Sequence, residues 1–383
     1  MRTSKTRKSP DIVLFGDFPA KGGAPRVLAN MIPYWRNHGY QIAIVTHRSG
    51  ECFYPQEIGD QVTHVHLGSK NKYITLFKLW YYLFRKRPRI IHSTSHVDNS
   101  IIARLGVLPS TGVLRVGSVH NTFGQSRRAD PAKKARKLAN VRRLYRYLDG
   151  VIAVSEGIRQ DLKEVVGLRS VPVHAIPNGV VTPEVAEKSK EPISHPWLGP
   201  DRDEPVVLAV GRLAKQKDYP NLLEAVSLVR KERPCRLIIL GDGPLRDELQ
   251  EKARKLGIAE LVDFPGFVEN PYSWMARSDC FAMSSQWEGC PCALAEALAM
   301  EIPVVSTDCP SGPTEILNGG QYGWLVPMED SFALADAIQE ALNKGGKEFN
   351  TSEAVEPYTA ERAAKRYLEV FGVRENSGAE ACT

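Results

Sequence analysis

No apolar run in this 383-residue sequence approaches the roughly 20 residues that cross a bilayer, so no spanning helix is expected. The first ten residues are basic and polar (Arg2, Lys5, Arg7, Lys8) and lack the apolar centre of a secretory signal. Cysteine is sparse. The seven cysteines are odd in number and irregularly spaced, which argues against a disulfide framework and fits a reducing cytosol. Cys290-Pro291-Cys292 is not a Cys-x-x-Cys pair, and His64 and His66 share a strand face without further ligands, so no metal site is expected. Acidic residues are nearly missing between Lys70 and Gly150, where 18 basic residues face only Asp98, Asp130 and Asp149. Residues 205–383 carry 18 basic and 27 acidic side chains, a net of −9, so a total of +6 leaves +15 on residues 1–204. That asymmetry suits a first half that meets an anionic partner or surface, or else one with a solvated basic face. A basic surface without aromatic-rich sheet motifs argues against nucleic acid.

The length suits two domains rather than one core. Apolar strand runs at residues 11–16, 41–47, 62–67, 90–95, 114–120, 150–155 and 173–176 alternate with helical patterns. The alternation breaks over residues 181–204, which are rich in Pro, Glu, Lys and Ser and read as an interdomain linker. It restarts with strand runs at 205–210, 236–240, 261–264, 280–283, 303–306 and 322–326. Continuous apolar strands separated by helices predict parallel sheets covered on both faces. Residues 1–10 then form a basic tail, 11–180 a first Rossmann-like domain, 205–358 a second, and 359–383 a terminal helix, expected to pack back on the first domain, with a frayed tail. Ligands of such sheets bind beyond the strands' carboxyl ends, which for facing domains is the cleft between them.

Around residues 284–300 an apolar strand runs through a Trp/Gly/Pro loop into the helix former Ala-Leu-Ala-Glu-Ala-Leu-Ala. This order aims a helix N-terminus, with its free N–H groups, at whatever lies beyond the strand. Glu288 and Glu296 bracket that start, a combination suited to a ligand with both hydroxyls and phosphates, such as a nucleotide sugar. Gly211-Arg212 closes an earlier strand, and Lys217 follows; the arginine can offer a fork and the lysine a mobile cation to a diphosphate. A basic surface turn is the plainer reading. Gly241-Asp242-Gly243-Pro244 and Gly266-Phe267-Val268 are turns at strand ends and candidate walls for a base. Thr314 and Glu315 suit the first turn of a helix. Gly22-Gly23 precedes a helix and would let a phosphate or sugar approach backbone N–H groups. His120, at a strand's carboxyl end before Asn121, could hydrogen-bond a sugar hydroxyl. Residues 131–148 read as a basic amphipathic helix (Lys133, Lys134, Arg136, Lys137, Arg142, Arg143, Arg146), suited to acidic lipid or phosphate, or simply to a solvated face.

These pieces, in this order, resemble the retaining glycosyltransferases of family 4, which share the two-Rossmann-domain GT-B fold. The resemblance is carried by Gly22-Gly23 with Arg26, His120-Asn121, Val154-Ser155-Glu156, Ile176-Pro177-Asn178-Gly179-Val180, Gly211-Arg212 with Lys217, Gly241-Asp242-Gly243-Pro244, and Trp-Glu-Gly-x-Pro-x-x-Leu-x-Glu-Ala from Trp287. Residues 308–316 resemble the branch holding N-acetylgalactosamine-type transferases of surface or lipid-linked glycans. The resemblance implies that Arg212 and Lys217 hold the donor diphosphate and that Glu296 holds the ribose. It places Glu288 against the transferred sugar, Gly289 in the same loop, and the N–H groups of Leu294 and Ala295 against phosphate. His120 would touch the sugar, Gly22 and Gly23 would lie under the donor phosphates or acceptor, and Gly243, Phe267 and Val268 would line the donor site. Also implied are a UDP-sugar as donor, no metal and no other cofactor. The acceptor would be a glycan or polyprenyl-diphosphate-linked sugar, and the location the cytoplasmic face of an acidic membrane, with Lys133, Lys134, Lys137, Arg142 and Arg143 as the acceptor or membrane contact. A nucleotide-sugar epimerase or hydrolase on the same fold, or a non-catalytic anion-binding protein, are the alternatives. Cys290 and Cys292 stand where relatives often carry larger or amide side chains, which leaves the sugar open.

Overall fold

The computed structural model describes residues 9–16, 23–47, 58–59, 62–69, 71–123, 131–344 and 351–372. The chain forms two compact units, one of Met1–Gly179 with Ala360–Thr383, the other of Val180–Thr359. Each is built on a parallel α/β sheet.

In the first unit the strands are β1 (Ile12–Phe15), β2 (Ile42–Thr46), β3 (Thr63–His66), β4 (Ile90–Ser93), β5 (Leu114–Val119), β6 (Gly150–Ala153) and β7 (Val173–Ala175). Their order is β3-β2-β1-β4-β5-β6-β7. Every pairing is parallel; Ile12, for example, lies between Ile42 and Ile90. β1, β2, β4 and β6 are buried along their whole length, which is why they read as unbroken apolar runs. The terminal helix Ala360–Val370 belongs to this unit and packs on the helix Gly23–Asn37. Trp35 Nε1 donates to Ala364 O at 3.0 Å, and its ring lies against Tyr367 and Phe371.

The second unit contains β8 (Val206–Val210), β9 (Arg236–Leu240), β10 (Val262–Gly266), β11 (Cys280–Met283), β12 (Val304–Thr307) and β13 (Trp324–Val326). The order is β10-β9-β8-β11-β12-β13, again all parallel. In both sheets the strand order reverses beside the first strand, between β1 and β4 and between β8 and β11. The carboxyl edge there is where such sheets leave room for a ligand.

Residues 181–204 correct the expectation of a linker. They carry the helix Pro183–Ser189 and lie within the second unit. Polar side chains fasten them: Asn270 Nδ2 donates to Lys188 O (2.8 Å), Arg277 Nη1 to Ser189 O (3.1 Å), and His195 Nε2 pairs with Asp263 (3.0 Å). Hydrogen bonds to side chains hold this segment, and such bonds leave no apolar period in the sequence.

Candidate active site

The site grows from the carboxyl edge of the second sheet. Beyond the strands, Gly211 N donates to Leu240 O (2.9 Å) and Gly241 N to Gly266 O (2.7 Å), so the backbones after β8, β9 and β10 lie in one bonded layer. No side chain fits inside it. A Cβ on Gly241, where φ is +130°, would sit 2.1 Å from Gly211 O. One on Gly243 would sit 2.4 Å from Leu213 O. Gly243 thus holds its loop against Leu213, while Gly243 N is taken by Asp242 Oδ1 at 2.7 Å. Phe267 is exposed and Val268 half-buried, so the ring at this edge is open to solvent.

Lys217 comes from a single 3₁₀ turn, Lys215–Lys217, and Glu288 from the loop after β11. Lys217 Nζ meets Glu288 Oε1 at 2.7 Å. Ser285 Oγ donates to the same oxygen at 2.7 Å, and Gln216 Nε2 lies 3.3 Å from Oε2 and 2.8 Å from Trp287 O. Backbone contacts lock the two segments together, with Gln286 N donating to Gln216 O (2.8 Å) and Ser284 Oγ to Lys217 O (2.7 Å). Thr307 Oγ1, at the end of β12, donates to Ser285 O (2.6 Å). Glu288 is only 7% exposed, so the carboxylate needs these partners. Its charge also reaches two neighbours. Burial first, then Glu288, raises the Tyr219 phenol, and the same causes push the Cys309 thiol up to about 12. The Tyr219 hydroxyl is buried without a hydrogen-bond partner among the described residues.

Arg212, following Gly211 after β8, is exposed and unpaired among the described residues. Glu296 sits inside the helix Cys292–Ala299 at 1% exposure, and Tyr272 OH donates to its Oε1 at 3.3 Å. No side chain caps that helix. The N–H groups of Leu294 and Ala295 both turn to Pro291 O, at 3.1 and 3.4 Å, so an arriving phosphate would share those protons. The preceding loop is wedged by Gly312, where a Cβ would lie 2.5 Å from Pro291 Cδ, and Ser311 Oγ donates to Gly289 O (3.2 Å).

In the first unit, Gly22 lies outside the described residues, and Gly23 is the exposed first residue of its helix. His120 follows β5, with Nε2 3.0 Å from Ser118 Oγ. Desolvation lowers its pKa to about 4, so the imidazole is neutral at pH 7. Lys133, Lys137, Arg142 and Arg143 line the outer face of the helix Pro131–Tyr145, with Lys134 half-buried. Arg142 Nε donates to Val166 O (2.6 Å), and Lys137 Nζ covers the Phe123 ring (5.1 Å).

Several residues emerge only from the geometry. Ser285 and Gln216 hold Glu288, Tyr272 holds Glu296, and the buried Tyr219 phenol feels the charge of Glu288 without bonding to it. At the β1/β4 edge, buried Asp98 meets His47 Nε2 at 2.5 Å and accepts from Ser95 Oγ at 2.6 Å. A Cβ on Gly16 would lie 2.9 Å from Asp98 Oδ2, so the glycine makes room for that carboxylate. The one hint in the sequence is Asp98's rarity as an acid in its region.

Two family models match the chain in sequence: Glycosyltransferase Family 4 over residues 21–183 and Glycosyl transferases group 1 over residues 191–362. The chain belongs to this glycosyltransferase family, and its two α/β units are those of the GT-B fold. It is 30% identical over 199 residues to the N-acetylgalactosamine-N,N'-diacetylbacillosaminyl-diphospho-undecaprenol 4-alpha-N-acetylgalactosaminyltransferase of Campylobacter jejuni, a match covering 52% of each protein. The chain thus spans about half the length of that relative. It is 27% identical over 315 residues to the amylovoran biosynthesis glycosyltransferase AmsD of Erwinia amylovora, covering 81% of this chain and 84% of AmsD. Among solved structures, HepE of Anabaena in complex with UDP and glucose superposes with a TM-score of 0.77 at 19% identity, covering 95% of this chain and 99% of HepE.

Proposed function

We propose that the chain transfers a hexose or N-acetylhexosamine, with retained configuration, from a UDP-sugar to a lipid-linked or growing glycan. The observation that carries this reading is the Lys217–Glu288 pair at the β8/β11 edge, buried and cross-braced, with Arg212 exposed just after β8. Arg212 and Lys217 supply positive charge for a leaving diphosphate, and Glu288 stands where positive charge develops on the sugar. Glu296, already hydrogen-bonded by Tyr272, offers its carboxylate to ribose hydroxyls. No side chain need act as nucleophile: the leaving phosphate oxygen takes the acceptor's proton on the face where the new bond forms. The protein's part is to position reactants and stabilise charge, with Arg212 and Lys217 doing what a metal does elsewhere. The relatives' names support a lipid-linked or polysaccharide acceptor; in this reading the protein works at a membrane surface, on its cytoplasmic face.

The test is UDP-sugar turnover with a polyprenyl-diphosphate-linked acceptor, together with the thermal shift on UDP. At 100 times its Kd, UDP adds about 2.7 kcal/mol of stability, roughly 5–10 °C for a unit of this size. Lys217→Ala should lower kcat/KM by about 10²–10³, the scale of losing a charge-stabilising group, and should shrink the UDP shift. Turnover of the variant at the wild-type rate would discard the site. Donor hydrolysis at full rate without acceptor would discard the transfer reaction.

A further inference from the structure

The helix Lys72–Lys86, KYITLFKLWYYLFRK, connects β3 to β4 and is apolar on two opposite faces. Thr75, Leu79 and Leu83, four residues apart, form the buried ridge. On the other side Tyr73, Phe77, Tyr81 and Phe84 stand 64, 64, 54 and 46% exposed, with Ile74 beside them at 50%. Trp80 joins this row, its ring 5.6 Å from Phe84 in a stack and 6.0 Å from Phe77. Large aromatic rings side by side in water are a patch that a soluble surface does not keep without use.

The helix does not need a partner in order to form. Asn71 Oδ1 caps it by accepting from Tyr73 N (2.9 Å) and Ile74 N (3.4 Å), and Arg87, in the left-handed region, closes it with its N–H on Leu83 O. Its buried ridge rests against the helix His96–Arg104, and Trp80 Nε1 donates to Pro109 O (3.0 Å).

Charge identifies what covers the outer face. From Lys70 to Val97 there are seven basic residues and no acidic one. Lys72, Arg85 and Lys86, at the two ends of the helix, are exposed, as are Arg87 and Arg89 just beyond. Arg89 faces Asp11 at 3.9 Å, while Lys72, Arg85, Lys86 and Arg87 meet no acid among the described residues. An aromatic centre with such cationic ends matches the boundary of an anionic bilayer, where Tyr and Trp rings sit at headgroup depth and Lys and Arg meet the phosphates. At 15 residues the helix is about 22 Å long, and no helix among the described residues is long and apolar enough to cross a membrane. It would therefore lie in the surface plane.

We infer that the helix Lys72–Lys86 is the membrane-docking element of this protein, its Tyr73/Phe77/Trp80/Tyr81/Phe84 face entering the headgroup region of an anionic leaflet. This sharpens the peripheral-membrane part of the function proposed above and moves the principal contact away from the helix Pro131–Tyr145. That helix exposes basic residues but no large apolar side chain.

The test is sedimentation of the full chain with vesicles of 30% phosphatidylglycerol in phosphatidylcholine, without any sugar donor. Wild type should bind at least tenfold more tightly than the Tyr73→Ser/Phe77→Ser/Tyr81→Ser/Phe84→Ser variant, and single Phe77→Glu should lose a similar factor. Lys133→Gln with Arg143→Gln should lose less than threefold. The substituted aromatics are exposed, and unchanged circular dichroism and thermal midpoint establish that the variants fold. Wild-type vesicle binding by folded Phe77→Glu and the quadruple variant would overturn the inference. So would a dimer in vesicle-free ultracentrifugation that the quadruple variant dissolves while its vesicle binding persists, since the face would then belong to a second copy. Because binding is read without turnover, failure of the glycosyltransferase reading leaves this result standing. Turnover on a short water-soluble acceptor, unchanged in the quadruple variant, separates docking from catalysis.

Discussion

His92 shows how far one side chain couples the first unit to acidity. It is fully buried, its Nδ1–H donates to Val116 O (3.0 Å), and its Nε2 has no hydrogen-bond partner among the described residues. Protonation would put an unpaired N–H and a charge into that core. Burial, helped by His120, accordingly lowers its pKa to about 3. The folded pKa lies below the unfolded one, so below about pH 6.5 the unfolded chain binds the proton and the folded chain does not. Stability from this group is full above pH 6.5 and falls as pH drops towards 3, by roughly 3 kcal/mol at pH 4. Denaturant titrations at pH 7 and pH 4.5 should show the loss, and His92→Phe, which keeps a ring against Tyr367 and Phe371, should flatten it. An equally steep loss in the variant would place the acid sensitivity elsewhere. The residues of the candidate site can be read from sequence, but their pairing cannot. Lys217 and Glu288 are 71 positions apart, and only the β8–β11 neighbourhood brings them to 2.7 Å.

At the scale of elements, the thirteen strands among the described residues lie on the runs the sequence announces, most plainly β1, β2, β4 and β6, which are covered on both faces and have no polar alternation to hide them, whereas β3 (THVH) is mostly exposed. The helix Lys72–Lys86 is harder to recognise as a surface element for the opposite reason. Its apolar residues go nearly all the way round, so no single stripe marks which side faces the core. The bonded glycine layer beyond β8, β9 and β10 leaves a different trace, a glycine at each strand end. Gly241→Ala should cost roughly 2–4 kcal/mol from the combined strain at positive φ and overlap with Gly211 O. The measured effect would be a lower thermal midpoint of the second unit, with weaker binding of the proposed donor nucleotide. Ala tolerated at wild-type stability would mean that the layer is not closely packed in solution.

For the whole molecule, the division into two α/β units is readable from the strand–helix alternation, and the second unit's own beginning is not. Residues 181–204 have the composition of a connector, yet they are fixed through Asn270, Arg277 and Asp263, residues far along the chain. The terminal helix Ala360–Val370 is marked by its periodicity, and its place by Trp35. A chain ended after Thr359 should therefore leave the indole of Trp35 without Ala364 O and open Tyr367 and Phe371 positions in the first core. Limited proteolysis should then cut the first unit while sparing Val180–Thr359. Uniform resistance, matching the full chain, would rule this out.

The bond between Trp35 and Ala364 joins residues 329 positions apart. On the ribosome, where chains emerge from the N-terminus, the first unit to begin is thus the last to be completed. Residues 180–359 can collapse while the earlier sheet still waits for its closing helix. During that interval the indole side of the helix Gly23–Asn37 lacks its cover, which arrives only with Ala364, Tyr367 and Phe371.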